Sequence, residues 1–151
     1  MRILFIACLA IITLICGSCF EKGDCVINNS NLLRIKFTNT KDKTAHPIKF
    51  TSIKVDSTSI VLYSGQEVSA IELPVNPSKT HTSFTISRAD VPDVTLNVTY
   101  TNKTIITSAE CGAFIYQQGV KLENNPFEGT IVKEVNVQLL RNAAVNFEIF
   151  F

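Results

Sequence analysis

The amino-acid sequence predicts an all-β domain built as an antiparallel two-sheet sandwich, immunoglobulin-like in type. Ile, Val and Thr, whose branched Cβ atoms favour strands, make up about 30% of the chain. Apolar and polar residues alternate along many short segments separated by turn residues, which is typical of two packed antiparallel sheets. A small β-barrel is the alternative, because the sequence has no tryptophan to serve as the buried Trp of such sandwiches.

The strands are predicted in order from this alternation. It is clearest at 94–100, where Val94 and Leu96 alternate with polar residues. A tight hairpin is predicted at Asn102-Lys103, since asparagine tolerates the positive φ of such turns. In the last strand, Asn146 and Glu148 are expected to face away from the core. Further strands are predicted at 33–37, 48–51, 53–55, 58–63, 68–73, 81–87, 104–109, 113–118, 131–139 and 145–151.

The N-terminal residues are typical of a targeting signal. The apolar run from Ile3 to Ile15 is too short to cross a bilayer, which needs about 20 residues, but it suits a secretory signal. Small residues then precede Cys19, and this stretch resembles a bacterial lipobox. We therefore predict a lipoprotein signal peptide over 1–18, lipidation of Cys19, a tether over 19–31 and a β-sandwich domain over 32–151. An ordinary cleaved signal peptide is the alternative.

The residues after Cys19 bear on the membrane that holds the protein. Phe20 stands where an aspartate would favour retention in the inner membrane. The predicted location is therefore the outer membrane of the cell envelope, with the periplasmic and the surface face both open. Acyl chains provide the membrane affinity, at about 0.8 kcal/mol per buried methylene group, so the folded domain needs no membrane-binding surface of its own.

Cys25 and Cys111 are the cysteines left without lipid in the predicted mature chain. A single pair in an oxidising compartment is expected to form a disulfide, with two buried thiols or a redox-active pair as the alternatives. The predicted mature chain has no Cys-x-x-Cys motif and no histidines spaced to complete a zinc site. Neither a thioredoxin-like role nor a zinc site is therefore predicted.

These features together resemble the small lipoproteins of Bacteroidota that are classed only as a domain of unknown function. The likeness rests on the segment from Glu21 to Cys25, the strand Leu33-Arg34-Ile35-Lys36-Phe37, the segment Ser108-Ala109-Glu110-Cys111-Gly112 and an aromatic-rich last strand. The resemblance implies an envelope location, pairing of Cys25 with Cys111 and an all-β fold. It brings no functional residues, because the family has no assigned activity.

The sequence predicts no enzyme, no metal site and no cofactor. His46 and His81 lie outside any catalytic motif, the carboxylates are scattered, and no glycine-rich phosphate loop occurs. The balance of 14 basic against 13 acidic residues argues against nucleic-acid binding. Asp56-Ser57-Thr58 resembles a short O-glycosylation acceptor, so Ser57 is a candidate for modification, with a plain turn as the alternative.

The favoured function is that of a non-enzymatic envelope lipoprotein. Such a protein would bind a partner, or stabilise an envelope assembly, through loops or exposed strand edges. The alternative is a lipoprotein that binds small ligands or glycans. That alternative predicts a concave, aromatic-lined surface, for which Tyr63, Tyr100 and Tyr116 are the tyrosines available.

Overall fold

The computed structural model describes residues 30–108, 111–141 and 145–151. The predicted signal peptide (1–18) and most of the predicted tether (19–31) therefore lie outside the described residues. Within the described part, the chain forms strands and no helix. The strands are β1 (Leu32–Thr38), β2 (Ile48–Lys49), β3 (Ser52–Val55), β4 (Val61–Leu62), β5 (Glu67–Val68), β6 (Ala70–Pro74), β7 (His81–Arg88), β8 (Val91–Ser108), β9 (Gly112–Leu122), β10 (Ile131–Glu134) and β11 (Phe147–Phe150).

The strands form two main sheets and one short ribbon. One sheet has the order β10-β11-β1-β6, the other has the order β4-β3-β7-β8-β9, and β2 pairs with β5 alone. Across the described residues, none of these sheets closes into a barrel. The predicted all-β sandwich is thus confirmed, and the small barrel is not formed.

One strand pair differs from the predicted antiparallel arrangement. β1 and β11 run parallel, with Ile35 opposite Phe147 and Phe37 opposite Ile149. The other pairs of named strands are antiparallel. A parallel pair cannot be joined by a tight turn, and here nearly the whole domain lies between the two strands. Alternation alone does not reveal strand direction, because both arrangements bury the same side chains.

The core lies between the two main sheets. Leu33 and Phe37 of β1 are fully buried, as is Phe84 of β7 in the opposite sheet, because successive side chains of a strand point to opposite faces. Phe37 is the centre of an aromatic cluster. Its ring centroid lies 5.9 Å from that of Phe50 and 5.5 Å from that of Phe127, in tilted and edge-on contacts that aromatic rings favour.

The tight hairpin predicted at Asn102-Lys103 is wrong, because β8 runs through both residues to Ser108. The Asn102 side chain stabilises the strand and does not form a turn. Its Nδ2 donates to the Lys79 carbonyl at 2.7 Å, and its Oδ1 accepts from Gln117 Nε2 at 3.1 Å. The chain reverses only after Ser108, where Gly112 (φ 71°) opens β9.

The single strand predicted over 131–139 is also wrong in part. β10 ends at Glu134, and residues 135–139, here called the crossing segment, pass to the other sheet and bond to β9. Asn146 does not face away from the core, as predicted, but is fully buried beside this segment. Its Nδ2 donates to the carbonyls of Asn136 (3.0 Å) and Gln138 (2.9 Å). A buried asparagine needs such partners, since an unpaired buried amide is costly.

Candidate interaction surface

The longest strands, β8 and β9, project beyond the rest of their sheet. β7 begins at His81, opposite Thr99 of β8, whereas β8 continues to Ser108 and, of the strands that the structure describes, pairs there with β9 alone. Residues 101–108 and 112–118 are here called the hairpin arm. The end of the sandwich from which the arm projects is called the arm end, and the opposite end is the far end. β3 finishes at the arm end, because Val55 lies opposite Phe84 near the start of β7.

Among the described residues, one edge of β8 in the arm has no neighbouring strand. In β9 the Gln117 carbonyl turns away from β8 to accept the Leu139 N–H at 3.0 Å. Asn102, opposite Gln117, therefore also directs its backbone groups away from β9. The backbone N–H and C=O groups of Thr104 and Ile106, two and four residues further on, also point away from β9. In the described part of the chain no strand pairs with this edge, which is called the free edge of β8.

The arm carries exposed isoleucines and little charge. Ile106 is 79% exposed and Ile105 is 46% exposed. Lys103 carries the only formal charge among the side chains of 101–106 and 112–118. Native proteins commonly protect an exposed strand edge with charges or proline, and here Lys103 is the one such residue among 101–106. The sequence does not indicate this edge, because Asn102-Lys103 has the composition of a turn. The β-branched run from Thr104 to Thr107 was the available signal that the strand continues.

A cavity of about 300 Å³ lies at the arm end of the sandwich. The turn after β3 and the start of β7 bring Asp56, Ser57, His81 and Ser83 to its wall, and Val75 adds apolar surface. The Asp56 carboxylate accepts the Thr85 hydroxyl at 2.8 Å. The volume is at the lower end of the range for small-molecule sites.

Ser57 lies on the exposed turn between β3 and β4. Its φ of 61° is in the left-handed region, which residues other than glycine adopt mainly in turns. The plain-turn geometry is thus present. Modification of Ser57 stays a prediction.

The two histidines occupy different places. The His46 ring stacks on Phe151, with centroids 4.4 Å apart, and its Nδ1 lies 2.7 Å from Asn39 Oδ1. His81 is exposed at the cavity, as its place at the start of a strand predicts. Among the described residues no hydrogen bond or ion pair joins either histidine to a serine or a carboxylate. The described residues likewise contain no group of three or more side chains suited to hold a metal ion.

The three tyrosines do not form a common surface. Tyr100 is buried, and its hydroxyl lies 2.7 Å from both the Thr82 hydroxyl and the Asn76 carbonyl. The Tyr63 hydroxyl accepts the Glu72 N–H at 2.6 Å on the outer edge of β6. Tyr116 lies on the arm. The aromatic-lined surface that the glycan-binding alternative predicts is therefore not built from these residues.

A row of charges crosses the outer face of the sheet that contains β1. Lys36 and Lys133 lie on either side of Glu148 in the strand register. Lys36 Nζ is 3.5 Å from the Glu148 carboxylate, and the Thr38 hydroxyl donates to that carboxylate at 2.8 Å. The Thr38 hydrogen bond, with help from Lys36, holds the pKa of Glu148 below its ordinary value. These charges are largely satisfied by one another.

Two of the three predicted cysteine positions, Cys19 and Cys25, lie outside the described residues. Cys111 is described, and it lies half-buried at the tip of the arm, directly before β9. The pairing of Cys25 with Cys111 and the lipidation of Cys19 stay predictions. Among the described residues, no helix has the length and apolar character needed to cross a membrane.

Comparison with known protein families gives one finding that bears on identity. Residues 48–151 match a family described as "Family of unknown function (DUF6452)". The matched range contains β2 to β11, and therefore the whole hairpin arm. No curated protein and no solved structure matches the chain.

Proposed function

Because the chain belongs to the DUF6452 family, whose function is unknown, we propose a function from its sequence and geometry. In this proposal, the protein is an outer-membrane lipoprotein that is anchored through lipid on Cys19. Its β-sandwich binds an envelope protein without catalysing a reaction. The partner docks by adding an extended segment to the free edge of β8. Whether the domain faces the periplasm or the cell surface is not part of the proposal.

The anchoring half of the proposal rests on the sequence around Cys19. The short apolar run and the small residues before this cysteine resemble those of a lipobox. Replacing Cys19 removes the acyl acceptor, so Cys19→Ala is expected to move the protein from the membrane to the soluble fraction. Continued membrane attachment of Cys19→Ala would contradict the anchoring.

The observation that carries the binding half is the free edge of β8. An edge strand offers a row of backbone N–H and C=O groups to a second chain, and side chains on alternate positions give specificity. Thr104 and Ile106 present these groups on a segment that projects from the sandwich. In the described part of the chain, no other unpaired strand edge is as long and carries as little charge.

A single backbone amide tests this mode of binding. Thr104→Pro removes the N–H that points to the free edge and leaves the hydrogen bonds between β8 and β9 in place. Thr104→Ala is the matched control, since it keeps the amide. Crosslinked co-purification from intact envelopes is expected to recover a partner with the wild type and with Thr104→Ala, and roughly tenfold less with Thr104→Pro. The fold of each variant is checked by thermal unfolding.

Two outcomes of this experiment would contradict different parts of the proposal. Equal recovery with Thr104→Pro and with the wild type would place the partner on another surface. Recovery of no partner from any anchored variant would contradict partner binding as the function.

The cavity at the arm end favours a second candidate function, the binding of a small polar ligand such as a glycan. Its wall combines the Asp56 carboxylate with hydroxyl and imidazole groups, which suit a polyhydroxylated molecule. Ser83→Leu would obstruct the cavity, whereas Ser87→Leu alters the same strand outside it. Thermal-shift screening with mono- and oligosaccharides is expected to give a shift that Ser83→Leu alone abolishes. A shift unaffected by Ser83→Leu would exclude this cavity as the site.

A further inference from the structure

An open groove of about 700 Å³ lies on the outer face of the sheet β10-β11-β1-β6, at the far end of the sandwich. β1 begins near the arm, because Ser30 bonds to Leu139 and Leu139 bonds to Gln117. β1 therefore runs towards the far end, and the groove lies where β1 and β11 finish. None of the described residues that line the groove belongs to the hairpin arm. A ligand in the groove would therefore not compete with a partner on the free edge of β8.

Three lysines line this groove. Lys36 and Lys133 lie on either side of Glu148, and Lys43 comes from the turn after β1. Lys43 Nζ lies 4.5 Å from the centroid of the Phe150 ring, a cation–π contact that holds the ammonium group over the sheet. The Glu148 carboxylate offsets one of the three lysine charges, so these four side chains leave two net positive charges at the groove.

Two of these lysines have no acidic partner. Among the described residues, no carboxylate oxygen lies within 4.0 Å of Nζ of Lys43 or of Lys133. Asp42 is the neighbour of Lys43 in sequence, but its carboxylate accepts the N–H and the hydroxyl of Thr44 at 3.0 and 2.8 Å. The ammonium groups of Lys43 and Lys133 are thus available to an anion from outside the chain.

The rest of this sheet face differs from the groove. Nearer the arm end, Arg34 Nε lies 2.9 Å from the Glu72 carboxylate, so the two charges offset each other. At the groove, the positive charge lies beside apolar surface, because Ile131 is 64% exposed and the neighbouring Phe150 is half-buried. The surface therefore suits a ligand that joins a strongly anionic group to a small apolar part.

We propose that this groove binds a phosphate monoester through Lys43 and Lys133, with the carbon part of the ligand against Ile131. A phosphate monoester carries a charge of about −1.5 to −2 near pH 7, which matches the two net positive charges. Lysine is a common phosphate ligand in proteins and acts there as a point charge. The proposal depends neither on the lipid anchor nor on partner binding at the free edge of β8.

Isothermal titration calorimetry of the purified full-length chain in a non-ionic detergent tests the site with phenyl phosphate. We expect saturable binding, and we expect Lys43→Gln and Lys133→Gln each to weaken it roughly tenfold, because each variant removes an ammonium group that contacts the phosphate. Lys54→Gln is the matched control. It removes the same charge from an exposed strand position in the other sheet, so it should leave the affinity unchanged.

Two further variants give effects that a general loss of structure would not produce. Glu148→Gln removes the negative charge of the groove, so it should strengthen binding by roughly threefold. Ile131→Ser should weaken the binding of phenyl phosphate but not that of inorganic phosphate, because only phenyl phosphate has an apolar part to contact this side chain. Thermal unfolding shows that each variant is folded.

The phosphate could be carried by a soluble ester or by a lipid headgroup. Dioctanoyl phosphatidic acid in the same detergent distinguishes these sources, with dioctanoyl phosphatidylcholine as the control lipid. Binding of the phosphatidic acid that is roughly tenfold tighter than that of phenyl phosphate, and that Lys43→Gln weakens, would identify a lipid headgroup. Tighter binding of phenyl phosphate would identify a soluble ester.

Two results would overturn the site. One is the absence of saturable binding of phenyl phosphate and of phosphatidic acid up to about 10 mM, which is weaker than specific recognition requires. The other is equal weakening by Lys54→Gln and Lys43→Gln, which would mean that net charge and not the groove attracts the phosphate. Either result would leave partner binding at the free edge of β8 intact.

Discussion

Asn146 and Arg34 are joined by two hydrogen bonds that fix the parallel pairing of β1 with β11. The Arg34 N–H donates to Asn146 Oδ1 at 2.9 Å, and the Asn146 N–H donates to the Arg34 carbonyl at 2.8 Å. The Arg34 guanidinium also donates to the Leu140 carbonyl at 2.8 Å. This pair therefore holds the first strand, the approach to the last strand and the chain that links the two sheets.

Asn146→Ala is expected to lower the free energy of unfolding by about 3 kcal/mol. The substitution leaves three backbone groups in or near the core without a partner. These are the N–H of Arg34 and the carbonyls of Asn136 and Gln138. The shift of the urea midpoint at an unchanged slope measures the loss.

Asn124→Ala is the matched control for this prediction. The Asn124 side chain also bonds to two backbone groups, the N–H of Asn97 and the carbonyl of Thr95, but in an exposed loop. Water can replace it there, so the expected loss is below about 1 kcal/mol. Equal losses for the two variants would show that burial is not the source of the Asn146 effect.

Tyr100→Phe is expected to lower the free energy of unfolding by about 1–3 kcal/mol, because the Asn76 carbonyl and the Thr82 hydroxyl lose a buried partner.

Burial raises the pKa of Tyr100 above the ordinary 10.0. The folded state thus binds the Tyr100 hydroxyl proton more tightly than the unfolded chain does. The resulting stabilisation is present below the ordinary value of 10.0 and is lost as the pH rises through the higher folded pKa. Tyr100→Phe should therefore also weaken the alkaline loss of stability. Tyr116→Phe, on the exposed arm, should change neither quantity, and an equal effect there would contradict the argument.

The Glu148 carboxylate is expected to make the free energy of unfolding depend on pH in acid. Its pKa is lowered, chiefly by the hydrogen bond from the Thr38 hydroxyl and then by Lys36. The unfolded chain binds this proton more readily, so the stabilising effect is present above the ordinary glutamate pKa of 4.5 and is lost as the pH falls through the lower folded value. Thr38→Val removes the hydroxyl at nearly constant volume.

Thr38→Val should therefore be less stable than the wild type at neutral pH, and the two should converge in acid. Urea unfolding across this pH range measures the difference. The same difference at every pH would show that Thr38 acts through packing alone.

The sequence predicted the strands of the core well, because alternation at Leu33 and Phe37 or at Phe84 and Ile86 reflects burial on one face. Strand direction and partner choice were not predictable in this way. The parallel pairing of β1 with β11 depends on contacts between the two ends of the domain. The burial of Asn146 depends on carbonyls of the crossing segment, which local sequence does not reveal.

The candidate surface was harder to predict than the core. Asn102-Lys103 has the local chemistry of a turn, but bonds from Asn102 to Lys79 and Gln117 keep it in a strand. Local turn preference is worth little against such tertiary contacts. The free edge and the exposed isoleucines of the arm follow from that one difference, since a turn at Asn102 would have removed the arm.

The predicted disulfide gives the last test, and it bears on the arm directly. A bond between Cys25 and Cys111 would close a loop of most of the domain, and loop-closure entropy gives it about 4–5 kcal/mol of stabilisation. Peptide mapping without reduction is expected to link the two cysteines, and Cys25→Ala should lower the urea midpoint by the corresponding amount. Because Cys111 lies at the arm tip, the bond would also join the N-terminal segment to the arm. Two free thiols in the purified protein would contradict the predicted bond.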